Sequence, residues 1–104
     1  MAAAKYAAQA GHSVELWEKT GRLGGNMNAA GGPDFKYDVR RFSMNLQKQL
    51  YKSGAVVRLS KEADAAAIAE YAPDAVILAA GAKPIKPRIA GIDSEKVIDA
   101  LDLL

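Results

Sequence analysis

The chain is expected to fold as an α/β domain with a parallel sheet and helices on its faces, and three observations lead there. Apolar residues recur with helical spacing over residues 35–53 and alternate as in a strand over residues 13–18. The apolar run at residues 75–79 is unbroken, as in a parallel strand covered on both faces. Helical and strand segments take turns along the chain, and right-handed crossovers would lay such strands side by side in parallel.

Residues 1–10 are nearly all strong helix formers and end at Gly11-His12, where glycine supplies a left-handed cap and His12 lies near the negative end of the helix dipole. The small Ala2, Ala3, Ala4, Ala7 and Ala8 favour close approach of this helix to a sheet or a ligand. Ser13-Val14-Glu15-Leu16-Trp17-Glu18 follows as a short strand with Val14 and Leu16 on one face, and Gly21 and Gly24-Gly25 then break the order. Pro33-Asp34 starts the next helix, whose apolar stripe is Phe35, Val39, Phe42, Leu46 and Leu50 and which Gly54 closes. Residues 55–59 form a second strand. Residues 64–71 form a short alanine-rich helix, with Asp64 as candidate N-cap and Pro73 as the stop. The third strand, residues 75–79, runs out in Ala80-Gly81, and Pro84 and Pro87 force an extended connection. Val97-Ile98 reads as a last short strand, and residues 99–104 as a helix start or a frayed end.

The chain has 104 residues, one domain's worth spanning residues 1–104, so any chemistry must fit a single core. Half the residues are apolar and a quarter charged, the balance of a folded soluble chain. A net charge of +2 points to no nucleic-acid partner, since Lys36, Arg40 and Arg41 are accounted for as a solvated helix face. The absence of cysteine excludes disulfides, thiolate metal ligands and iron–sulfur ligation within this chain. The alanine-rich start, interrupted by Lys5 and Gln9, is too short and too polar for a signal peptide or a membrane span, so no membrane association and a cytoplasmic location are expected.

Parallel sheets of this kind bind ligands at the carboxyl ends of their strands, and the informative residues lie there. Glu18 ends the first strand, where an acid accepts hydrogen bonds from both ribose hydroxyls of a dinucleotide; a plain surface carboxylate is the alternative. Arg22-Leu23-Gly24-Gly25-Asn26 then places a cation beside two residues without side chains, so that backbone N–H groups can approach a pyrophosphate. Ala80 and Gly81 leave room at the tip of the buried strand for a phosphate or a ribityl chain, or simply form a strand-to-loop turn. His12 reads as a capping residue, and Trp17, Tyr6, Tyr37, Tyr51 and Tyr71 as packing residues. No catalytic triad, carboxylate pair or metal-ligand cluster emerges, so the chain offers binding chemistry without a catalytic group.

Together, the stretch from Val14 through Glu18-Lys19 to Arg22-Leu23-Gly24-Gly25-Asn26 and the stretch Ile77-Leu78-Ala79-Ala80-Gly81-Ala82-Lys83-Pro84 resemble a known family. They look like the C-terminal FAD/NAD-binding half of NADH:flavin oxidoreductases of the old yellow enzyme type, the 2,4-dienoyl-CoA reductase and enoate reductase group. The resemblance spans nearly the whole chain and implies a Rossmann-type FAD/NAD(P)-binding domain. It also implies that Glu18, with Lys19 beside it, holds the adenosine ribose of FAD. Arg22, Gly24, Gly25 and Asn26 would line the diphosphate and ribityl path, the Val57 backbone would face the adenine, and Ala80 and Gly81 would close over the cofactor. In such relatives NADH reduces FAD, an iron–sulfur cluster carries electrons onward, and FMN in a separate barrel domain reduces an activated carbon–carbon double bond. The FMN-binding barrel domain is therefore the expected partner.

Three departures from the family pattern stand out. Such domains open with a strand and G-x-G-x-x-G, whereas this chain begins at a helix and reads as N-terminally truncated. Asn26 stands where the family commonly has glutamine, and Ala80 where it commonly has threonine. The opening strand of such a sheet is central, so its loss leaves unpaired edges at roughly 1–3 kcal/mol per buried unpaired group. Re-pairing of the chain's own strands, or a strand-exchanged homodimer, is the expected repair. Little or no FAD retention is expected without the main phosphate-binding amides. Alternatives are a relative that binds only ADP, as trimethylamine dehydrogenase-like proteins do, and a free-standing α/β interaction or nucleotide-sensing module.

Overall fold

A computed structural model describes every residue from Met1 to Leu104. Its elements are α1 (Ala2–Gln9), β1 (Glu15–Glu18), α2 (Asn26–Ala30), a 3-10 turn (Asp34–Lys36), α3 (Tyr37–Lys52), β2 (Val56–Leu59), α4 (Ala65–Tyr71) and α5 (Ala100–Leu103). No helix is long and apolar enough to cross a membrane.

The two strands pair in parallel, with Glu15, Leu16, Trp17 and Glu18 opposite Val56, Val57, Arg58 and Leu59. Parallel neighbours need a long crossover, and α2, the 3-10 turn and α3 supply it. The ladder extends past both strand ends, since the Lys61 amide donates to the Glu18 carbonyl at 3.0 Å and the Ser60 amide to the Thr20 carbonyl at 2.9 Å.

The core lies on one face of this sheet. Leu50 of α3 is fully buried and clusters with Leu23 and Ala55, while Met1, Ala4, Ala8, Val14, Leu16 and Val57 pack around them. Ala4 and Ala8 are one helical turn apart on α1, so their small side chains let that helix approach closely, as its composition suggests. Lys5 is buried beside them, its ammonium donating to Gln49 Oε1 at 3.0 Å and lying 3.9 Å from the centre of the Tyr6 ring. On the opposite face, the edge of Trp17 meets Tyr71 of α4 at 5.3 Å between ring centres, and the Lys61 ammonium lies 3.6 Å above the Trp17 ring. Asp64 is the N-cap of α4, accepting from the Ala67 amide at 2.8 Å.

Several expectations need correcting. Residues 75–79 are not a strand: they make no backbone hydrogen bond within the chain, and Leu78 is 84% exposed. An apolar run becomes a parallel strand only where a neighbour supplies a ladder, and the sole ladder here joins β1 to β2. Residues 75–79 are therefore not re-paired onto β1. Val97-Ile98 is likewise no strand, because the Val97 amide closes a turn onto the Ser94 carbonyl at 2.9 Å. The expected apolar stripe is only partly inward: Leu50 of α3 is buried and Leu46 and Val39 are half-buried, while Phe42 of α3 and Phe35 of the 3-10 turn are exposed and Ser43 is buried in their place. The cause is α2, absent from the sequence reading, which packs on the Arg40 and Ser43 side of α3.

Glu15 carries a prediction for stability. Its carboxylate accepts from Trp17 Nε1 at 2.8 Å and pairs with Arg58 at 3.2 Å, and the Trp17 hydrogen bond, more than the Arg58 cation, holds its pKa below the ordinary value. A lowered folded-state pKa adds stability that is complete above the ordinary glutamate range and is lost as pH falls through the folded value. Glu15→Gln is therefore expected to lower the urea midpoint at about pH 7, by an amount that shrinks as the pH is taken below the ordinary glutamate range.

Candidate functional site

The site grows from the exit of β1. Glu18 ends the strand, and the chain then turns back on itself with a threonine two residues on, a pattern suited to a local side-chain bond. Both the amide and the hydroxyl of Thr20 lie 2.8 Å from Glu18 Oε1, leaving Oε2 without a protein partner. The same hydroxyl is 2.9 Å from the Arg22 carbonyl, and its single proton serves one acceptor at a time. Thr20 thus orients the Glu18 carboxylate while sparing one oxygen, a role that sequence reading missed although the two-residue spacing carries the signal.

The loop from Thr20 to Gly25 is anchored by Leu23, which is 5% exposed against Leu50. On either side of that anchor, Arg22 projects outward without an ion pair, and Gly24 and Gly25 adopt φ of 115° and 49°. A side chain at Gly24 would have to displace Asn28: a Cβ there would lie 2.5 Å from Asn28 Oδ1, and Asn28 is itself held by donating to the Leu23 carbonyl at 3.0 Å. By contrast, a Cβ on Gly25 would meet nothing within 4 Å, so the outer side of the turn is bare backbone facing open space.

The turn then passes into α2 at Asn26, whose side-chain Nδ2 donates to the Ala82 carbonyl at 3.3 Å across 56 residues of chain. This bond ties the residue after the Gly24-Gly25 turn to the residue after Gly81. A Cβ on Gly81 would also meet open space. Two expected residues lie elsewhere: Lys19 makes an exposed ion pair with Glu62 at 3.6 Å, and Val57 sits within the ladder opposite Leu16, two positions short of the tip. Leu59 stands beside Glu18, and Ser60, in the left-handed region at φ 54°, and Lys61 follow it. His12 is exposed at the far end of β1. The arrangement is one carboxylate oxygen, one unpaired guanidinium and two stretches of bare backbone, chemistry suited to holding a sugar and its phosphates.

Residues 1–52 match the family described as the NAD(P)-binding Rossmann-like domain. Along its whole length the chain is 42% identical to an NADH oxidase of Thermoanaerobacter brockii, 41% to a cinnamate reductase of Clostridium sporogenes and 38% to a bilirubin reductase of Mediterraneibacter gnavus. It spans 15–16% of the length of those relatives. No solved structure matches it.

Proposed function

This chain belongs to the NAD(P)-binding Rossmann-like domain family, and from that premise we propose that it is the FAD-holding part of an NADH-dependent flavin oxidoreductase of the enoate reductase kind. The support rests foremost on the Asn26 to Ala82 hydrogen bond, because it joins the residue after the glycine turn to the residue after Gly81. Glu18 Oε2 would accept a ribose hydroxyl, Arg22 would neutralise pyrophosphate charge, and the bare backbone at Gly24, Gly25 and Gly81 leaves the space that a phosphate or ribityl chain needs. Ala80 would complete the ribityl end of the same reading.

FAD, when bound, supplies an acceptor for a hydride and a route for electrons onward. The residues of this chain bind and orient it, and the remaining chemistry would belong to an FMN-binding barrel domain and an iron–sulfur cluster. The names of the matched relatives, an NADH oxidase and a cinnamate reductase, agree with a redox role of this class.

Parallel calorimetric titrations with FAD, ADP and NADH test the reading. FAD and ADP are expected to bind weakly, since the chain contains no G-x-G-x-x-G. Glu18→Ala is expected to weaken both by roughly tenfold or more, the value of a hydrogen bond to a charged group. Binding of none of the three would overturn the proposal, and stoichiometric yellow flavin in the purified protein would overturn the expectation of weak affinity.

A further inference from the structure

We propose a second ligand site: the cleft between α2 and α3 binds a small oxyanion, a phosphoryl or carboxylate group, separately from the nucleotide surface. Arg22 and Arg40 stand on its walls with Asn28, Ser43 and Gln47, and its volume is about 230 Å³. At ~30 Å³ per water, that is room for a phosphate-sized group with a few bridging waters.

The lining is rich in donors and poor in negative charge. Arg22 has no acidic partner, and Arg40 has only Asp34 at 3.6 Å, a fully exposed carboxylate whose pairing in water is weak. Ser43 is 4% exposed on α3, where a stripe residue would ordinarily be apolar, and its Oγ receives only a long 3.4 Å bond from Gln47. Its own proton finds no protein acceptor. A buried hydroxyl with a free proton, facing a cleft between two guanidiniums, suits an acceptor that carries negative charge.

The cleft is also held narrow. Gly31, buried at the end of α2, lies so close to α3 that a Cβ there would come 3.1 Å from the Arg40 amide nitrogen. Arg40 and Met44 are shared with an adjoining groove that carries Arg41 and Lys48, so the whole outer side of α3 raises the local positive potential. Gly24, Gly25 and Gly81 line neither space, which separates this cleft from the nucleotide surface, with Arg22 as the one residue common to both.

The test follows backbone amide resonances of Gly31 and Ser43 in the full chain at constant ionic strength, titrated with inorganic phosphate in one arm and acetate in the other. Saturable shifts with either probe are expected, and the tighter one names the group. Arg40→Gln is expected to weaken saturation about tenfold or more, with Arg40→Lys falling between, because a lysine keeps the charge and loses the fork. Ser43→Ala is expected to weaken it by a smaller factor. Shifts that never saturate with either probe, or that are unchanged in Arg40→Gln, would overturn the site. Displacement of the bound probe by FAD would overturn its separateness.

Discussion

Leu50→Ala is expected to leave the chain largely unfolded at room temperature. Truncating a buried leucine costs about 2–5 kcal/mol through lost transfer energy and the cavity left behind. Leu50 is the one large side chain with no exposure, and just six residues in the chain are buried, so no second cluster exists to absorb the loss. Domains of this size hold only about 5–15 kcal/mol in all, and one with so small a core stands at the low end. Far-ultraviolet circular dichroism with urea titration reads the outcome, and a midpoint within error of the parent chain would contradict it. Because Leu23 of the ligand loop packs on Leu50, nucleotide binding is expected to disappear with the fold.

Gly24→Ala is expected to be the next most damaging change. The backbone there sits at φ 115°, outside the region open to alanine, at a strain of order 1–3 kcal/mol. The added Cβ also displaces Asn28 from the Leu23 carbonyl, which removes about 1 kcal/mol of hydrogen bonding. Gly25→Ala separates the two effects, since that position has positive φ but no neighbour within 4 Å. Urea midpoints should fall further for Gly24→Ala than for Gly25→Ala, and the Met27 amide, which donates to the Gly24 carbonyl, should lose hydrogen-exchange protection in the former. Equal losses would mean that strain alone matters and that Asn28 is a bystander.

Local signals were legible wherever the information is contained within a few residues. Alternation marked β1, helical spacing and Gly54 marked α3, and Asp64 followed by alanines marked α4 with its cap. The glycines that follow β1 and the small residues at 79–82 were legible as short stretches, but the bond that joins them, Asn26 to Ala82, was not, because it spans 56 residues and residues 75–79 form no strand. Thr20, Asn28 and α2 escaped notice, since none carries an apolar period and each acts through one or two polar bonds.

Residue order alone settled the α/β character, the positions of the paired strands and the glycine turn, because propensity, periodicity and left-handed backbone geometry are properties of short stretches. Three matters were left to the packed molecule: that residues 75–79 stay unpaired, that α3 turns Ser43 inward and Phe42 outward, and that Asn26 meets Ala82. Each depends on which partner occupies the space beside a segment. A strand exists only through its neighbour's hydrogen bonds, and a helix face is buried only by what lies against it.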